Sequence, residues 1–136
     1  MTHANVYLNF DGNTREAMNF YKDCLGGELS FQSVSELPEM AAQMPPHYSD
    51  HIMHSTLVKD GIVIMASDLC RRKLENGNAY SICIQCSSEE EIDRFFGNLS
   101  NGGKVVDPLM DAPWGAKYGS VTDKFGIQWI FNYTRN

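Results

Sequence analysis

Few groups in this chain could do chemistry. His51 and His54 lie three residues apart. On a helix that spacing would share a face, but on a strand it points the two rings to opposite sides. His54 opens a strand, and Asp68 ends the hairpin that contains it. If they met across the sheet, they could exchange protons as an acid–base pair. Otherwise Asp68 is a cap that takes backbone N–H groups, and His54 makes a local hydrogen bond. Cys83-Ile-Gln-Cys86 has the C-x-x-C spacing of redox and zinc sites. Residues 80–86 alternate like a strand, however, which sets the two thiols on opposite faces. A structural zinc also needs a second ligand pair, and Cys24 and Cys70 stand alone, so plain core cysteines are expected. There is no glycine-rich phosphate loop. Gly26-Gly27 and Gly102-Gly103 follow helices, whereas a phosphate cradle precedes one.

The elements that must position these groups occur twice. Asn13-Thr-Arg-Glu16 and Ser88-Glu-Glu-Glu91 both read as capping boxes. The first opens a helix with Ala17, Met18, Tyr21 and Leu25 on one face, ending at Gly26-Gly27. The second opens a helix with Ile92, Phe95, Phe96 and Leu99 at i, i+3, i+4, i+7, ending near Gly102-Gly103. A strand precedes each helix (residues 5–10 and 81–86) and another follows it (28–35 and 104–106). Each half then closes with a hairpin. The first runs 54–58, turns at Lys59-Asp60-Gly61, and returns through 62–66. The second runs 118–122, turns at 123–126, and returns through 127–133. The order is βαβββ twice. We therefore expect a single α+β domain spanning 1–136, with one module at about 1–71, a linker near 72–78 and a second module at about 79–136.

The chain has 136 residues and is 43% hydrophobic, enough for a core without staples. Its net charge of −6 argues against a nucleic-acid partner. No apolar run has the length of a membrane span. Met1 to Asn5 does not lead from a basic segment into an apolar one, so no secretory signal is expected. A cytoplasmic protein with reduced thiols follows.

Alternation sorts the strand residues. Leu8, Phe10, Ile82, Ile84, Trp129 and Phe131 are expected beneath the helices. Tyr7, Asn9, Met65, Cys83, Gln85, Gln128 and Asn132 form the other set, with His54, Trp114 and Tyr118 near its rim. Such a mixed lining suits a small-molecule cavity. A half-exposed antiparallel sheet would show the same alternation. The uncharged lining favours a weakly polar ligand over a phosphate or phosphonate. Residues 36–50, with Met40, Met44, Pro45, Pro46 and His47, form a long connection that suits a lid, a surface loop or a dimer contact.

Several stretches together resemble the glyoxalase/bleomycin-resistance/extradiol-dioxygenase (vicinal oxygen chelate) superfamily, and its PhnB-like branch in particular. They are Tyr7-Leu-Asn-Phe-Asp-Gly12, Ala17 to Tyr21, Gly26-Gly-Glu28, the stretch His54 to Asp68 with its Met65-Ala-Ser-Asp68 end, Gly102-Gly-Lys104, Trp114-Gly115 and Val121-Thr-Asp-Lys-Phe-Gly-Ile-Gln-Trp129. The resemblance implies two modules that form a curved mixed sheet around a cavity. In metal-dependent relatives four side chains there hold an ion. Those positions fall here at Asn5, Met65, Ser81 and Ile130. Met65 suits only soft metals, and Ile130 has no lone pair to offer. No metal and no cofactor are therefore expected.

Three functions compete at this stage. The first is a small-molecule-binding protein that lacks the usual metal ligands. The second is a lyase, isomerase or dioxygenase-type enzyme with a non-standard or metal-free site, for which His54 and Asp68 are the catalytic candidates. The third is methyl transfer, which the branch's inherited label suggests; no glycine-rich strand-to-helix turn offers a place for an adenosyl cofactor. A homodimer is also expected, since each module leaves sheet surface over.

Overall fold

The computed structural model describes residues 2–135 apart from 46, 47, 49, 70, 71 and 72. Pro46, His47, Cys70 and the start of the expected linker lie outside the described residues, as does the Met40 side chain. The chain divides into two compact units, Met1–Glu75 and Asn76–Asn136.

The first unit holds β1 (Val6–Asn9), α1 (Thr14–Leu25), β2 (Glu28–Ser33), α2 (Pro38–Ala42), β3 (Ile52–Lys59) and β4 (Ile62–Ser67). Its four strands lie in the order β1-β4-β3-β2, with β1 and β4 parallel and the other pairs antiparallel. The second unit holds β5 (Ile82–Gln85), α3 (Glu89–Ser100), β6 (Lys104–Ala112), β7 (Ala116–Thr122) and β8 (Gln128–Thr134). It repeats the arrangement as β5-β8-β7-β6, with β5 and β8 parallel. The fold is α+β, with two four-stranded mixed sheets of identical topology. Among the described residues no helix is long and apolar enough to cross a membrane.

The expected helix faces are the buried ones, except that Phe96 is only half-buried. Ala17, Met18, Tyr21, Cys24 and Leu25 are buried on α1, and Ile92, Phe95 and Leu99 on α3. Phe10, Ile84, Trp129 and Phe131 are buried with them, as expected. Burying each such large side chain contributes about 1.5–3 kcal/mol. Leu8 and Ile82 are only half-buried. They sit on β1 and β5, the edge strands, where one flank has no neighbour.

Three local expectations are corrected. Asn13 makes no side-chain cap on α1; the Asp68 carboxylate takes the Thr14 N–H instead, at 3.0 Å. On α3 the Ser88 hydroxyl does accept from the Glu91 N–H, at 3.0 Å. Glu91 answers one residue early, accepting from the Ser87 N–H rather than that of Ser88. Finally, β6 runs well past Val106. β6 is an edge strand with register shifts between Val105 and Asp107 and between Asp107 and Met110, where Pro108 costs no ladder bond. The long connection 36–50 likewise contains α2, and a 3₁₀ turn over Val34–Glu36 leads into it.

Candidate ligand-binding faces

In each sheet, the residues that alternate with the buried set lie on the face turned away from the helix. In the first unit, Tyr7 stands beside Met65, and Met65 beside Thr56. Tyr7 is 48% exposed, and its ring centroid lies 6.3 Å from that of His54. His54 Nε2 is 3.1 Å from the Thr56 hydroxyl. The Asn5 amide N–H reaches the Met65 sulfur at 3.8 Å. Asn9 is exposed on the same face.

Asp68 does not join this group. It is 4% exposed. Its Oδ1 accepts from the Gly12 N–H, the Thr14 N–H and the Thr14 hydroxyl, and its Oδ2 from the Ile52 N–H. Both oxygens are engaged in holding the β1–α1 corner against the start of β3. The acid–base pairing of His54 with Asp68 is not formed; the capping role is.

In the second unit, Cys83 stands beside Ile130, Ile130 beside Ser120, and Ser120 beside Asp107. One row on, Gln85, Asn132, Tyr118 and Met110 stand side by side. The Asn132 amide donates to Gln85 Oε1 at 2.8 Å and to the Thr134 hydroxyl at 3.3 Å. The Ser120 and Tyr118 hydroxyls both donate to Asp107 Oδ2, at 2.7 and 3.3 Å. The Trp114 ring, on the turn between β6 and β7, is 66% exposed and meets Tyr118 edge-on at 6.5 Å. Gln128 is placed differently from its companions. Its amide donates to the Gly77 carbonyl at 2.7 Å and so helps to seat the linker. Asp107 was missed because the strand carrying it was read as ending at Val106. Period-two alternation could not have placed it, because the register shift between Asp107 and Met110 sets those two on one face and breaks the pattern.

The two cysteines of the C-x-x-C pair part company. Cys86 is buried, but Cys83 is exposed, which corrects the expectation that both are core thiols. Burial pushes the Cys86 thiol up to about 12, with the Glu91 and Cys83 charges adding to the effect. At neutral pH Cys86 is therefore a protonated, inert core thiol.

The residues at the metal-ligand positions of relatives do not fit a divalent ion. Met65 receives an N–H from Asn5 and offers a soft sulfur, and Ile130 is an alkyl group. Among the described residues no group of three or more His, Cys, Asp or Glu side chains is placed to hold a metal.

Residues 3–131 match the family model described as 3-demethylubiquinone-9 3-methyltransferase. The chain belongs to this PhnB-like family. It is 30% identical to Protein YjdN of Escherichia coli K12 over 95% of this chain and 93% of that one. Among solved structures, the PhnB-like chain is similar to protein PA1353 of Pseudomonas aeruginosa, with 35% identity, full coverage of both chains and a TM-score of 0.83. It is also similar to the PhnB protein of Bacillus cereus, with 26% identity, 98% and 100% coverage and a TM-score of 0.75. FosX of Listeria monocytogenes, at 13% identity and a TM-score of 0.66 over 99% and 94% of the two chains, shares the fold. The chain thus shares the fold of FosX and of a glyoxalase/bleomycin resistance protein/dioxygenase from Nocardioides, the fold that the sequence resemblance implied.

Proposed function

We propose that this PhnB-like protein binds an organic small molecule on the helix-free faces of its sheets, through side-chain amides and aromatic rings and without a metal. The observation that carries this reading is the Gln85–Asn132–Thr134 chain of hydrogen bonds. It leaves amide donors and acceptors on the face turned away from α3, beside the Tyr118 and Trp114 rings. Amides can hold a ligand's carbonyls or hydroxyls in either sense. In the first unit Tyr7, Asn9, His54 and Met65 supply the corresponding contacts. Methyl transfer, named in the family description, has less support. The strand-to-helix turns here are Phe10-Asp11-Gly12-Asn13 and Cys86-Ser87-Ser88, and neither is the glycine-rich cradle that a dinucleotide-like cofactor uses.

A thermal-shift screen would supply a ligand, because a specific binder raises the melting temperature by mass action. Gln85→Ala and Asn132→Ala, made singly, should each weaken that ligand roughly three- to tenfold, the worth of one lost hydrogen bond. If both variants stay folded and bind like the parent, these amides are not ligand contacts.

The same reading includes a symmetric homodimer. Sedimentation at micromolar protein should give twice the monomer mass. A species at the monomer mass would remove the dimer from the reading.

A further inference from the structure

Asp107 has unusual surroundings for a surface carboxylate. It lies on the edge strand β6 with a register shift on either side. Bulges of this kind re-aim a side chain. Here the result is a half-buried carboxylate on the helix-free face, beside Ser120. Ser120 is itself only 8% exposed. Its hydroxyl and that of Tyr118 each carry one proton, and both protons point at Asp107 Oδ2. What remains free around the carboxylate is therefore lone pairs: those of Oδ1, of the Tyr118 oxygen and of the Ser120 oxygen. Among the described residues Oδ1 has no hydrogen-bond partner, and no Lys or Arg pairs with Asp107. Lys117 and Arg135, the basic residues at that end of the unit, are engaged with Glu89, Asp93 and Asp111. Lys104, on the same strand as Asp107, stands beside Thr122 and makes no ion pair with it.

A cluster with acceptors only, a net negative charge and two aromatic rings is complementary to an organic cation. An organic cation brings N–H donors and no acceptors, and the faces of Tyr118 and Trp114 attract positive charge. The Trp114 turn is held by two backbone hydrogen bonds. Gly115 N–H bonds the Ala112 carbonyl at 3.1 Å, and Arg135 N–H bonds the Gly115 carbonyl at 3.1 Å. The chain's charge of −6 attracts cations at long range as well.

We propose that the second unit contains a subsite for an organic ammonium or guanidinium group, with Asp107 as its counter-charge and Tyr118 and Trp114 as its aromatic walls. This rests on the small-molecule reading above and names the class of ligand. It replaces the sequence-based expectation of an uncharged ligand, which was formed without Asp107.

The test uses the whole protein with benzylamine and phenylguanidine as cationic probes, benzyl alcohol as the neutral one and benzoate as the anion. Trp114 emission follows binding, since Trp129, the other tryptophan, is fully buried and bonded to Asp123. Calorimetry checks it. The cations should bind about tenfold tighter than benzyl alcohol, benzoate should not bind, and added salt should weaken only the cations. Asp107→Asn keeps the shape and should bring the cations down to the level of benzyl alcohol. Equal affinity for cation and alcohol overturns the proposal, and needs no variant to show it. So does a cation preference that survives in folded Asp107→Asn, or no cation binding at all. A neutral ligand from the thermal-shift screen that depends on Gln85 or Asn132, with no cation binding, would leave the binding reading standing and remove this one. If neither the screen nor the probes yield a binder, both fall.

Discussion

Asp68→Ala is expected to lower unfolding stability by about 4 kcal/mol, because it strands several buried donors at once. The Thr14 and Ile52 side chains at this corner are wholly buried, and the Gly12, Thr14 and Ile52 N–H groups all end on this carboxylate. Each orphaned donor costs about 1–3 kcal/mol, and neighbouring losses do not add fully. Asp68→Asn should cost less, since its carbonyl oxygen can still serve Gly12 and Thr14, but its NH₂ would face either the Ile52 N–H or theirs. Urea unfolding of the two variants measures the difference. A loss below about 1 kcal/mol for Asp68→Ala would show that water replaces the carboxylate and that the corner does not depend on it. The same experiment bears on function. A structural Asp68 predicts that ligand binding to folded Asp68→Asn stays close to the parent value, whereas a catalytic Asp68 does not.

Gly27→Ala should be the most damaging single methyl in the first unit, at about 3 kcal/mol or more. Gly27 has φ +98, and an added Cβ would lie 2.3 Å from the Val58 carbonyl oxygen and 2.8 Å from Lys59 Cβ. The backbone of β3 would have to move, and β3 is paired on both sides. Gly103 repeats the device in the second unit, with a Cβ position 2.3 Å from the Thr122 carbonyl oxygen. Gly97 provides the control of opposite sign. It lies within α3, is exposed, and has open space around its Cβ position. Gly97→Ala should therefore stabilise the protein by about 0.5–1 kcal/mol through helix propensity. Thermal melts of the pair decide the matter. Equal melting points would mean that the helix exit in the first unit is not tightly packed.

Most of the fold was legible because its signals are local. Alternation fixes the strand faces, 3.6-residue spacing fixes α1 and α3, and glycine pairs end both helices; none of these needs a partner distant in the chain. What escaped is what depends on distant residues. The cap on α1 comes from Asp68, far along the chain, so Asn13 looked like a cap that it does not provide. Gln128 fits the alternation of the ligand-facing set, yet the Gly77 carbonyl claims its amide. Asp107 was hidden because the strand was expected to stop at Val106, and only pairing with β7 shows that β6 continues to Ala112. The family resemblance carried the topology, while the departures at Met65 and Ile130 argued against copying its metal chemistry.

Each first strand, β1 or β5, is parallel to the last strand of its own unit. A parallel partner cannot be reached by a tight turn, so β1 must wait for β4 before it has anything to pair with. The β2–β3–β4 ribbon can form from neighbours alone, and closure of β1 is then the late, long-range step in assembling the unit. Every rung of the first sheet nevertheless lies before Glu75. As the ribosome extends the chain, the first sheet has its full set of pairing partners before any strand of the second has emerged, so synthesis itself separates two sets of strands of the same topology in time and limits the chance that β1 pairs with β8 or β5 with β4.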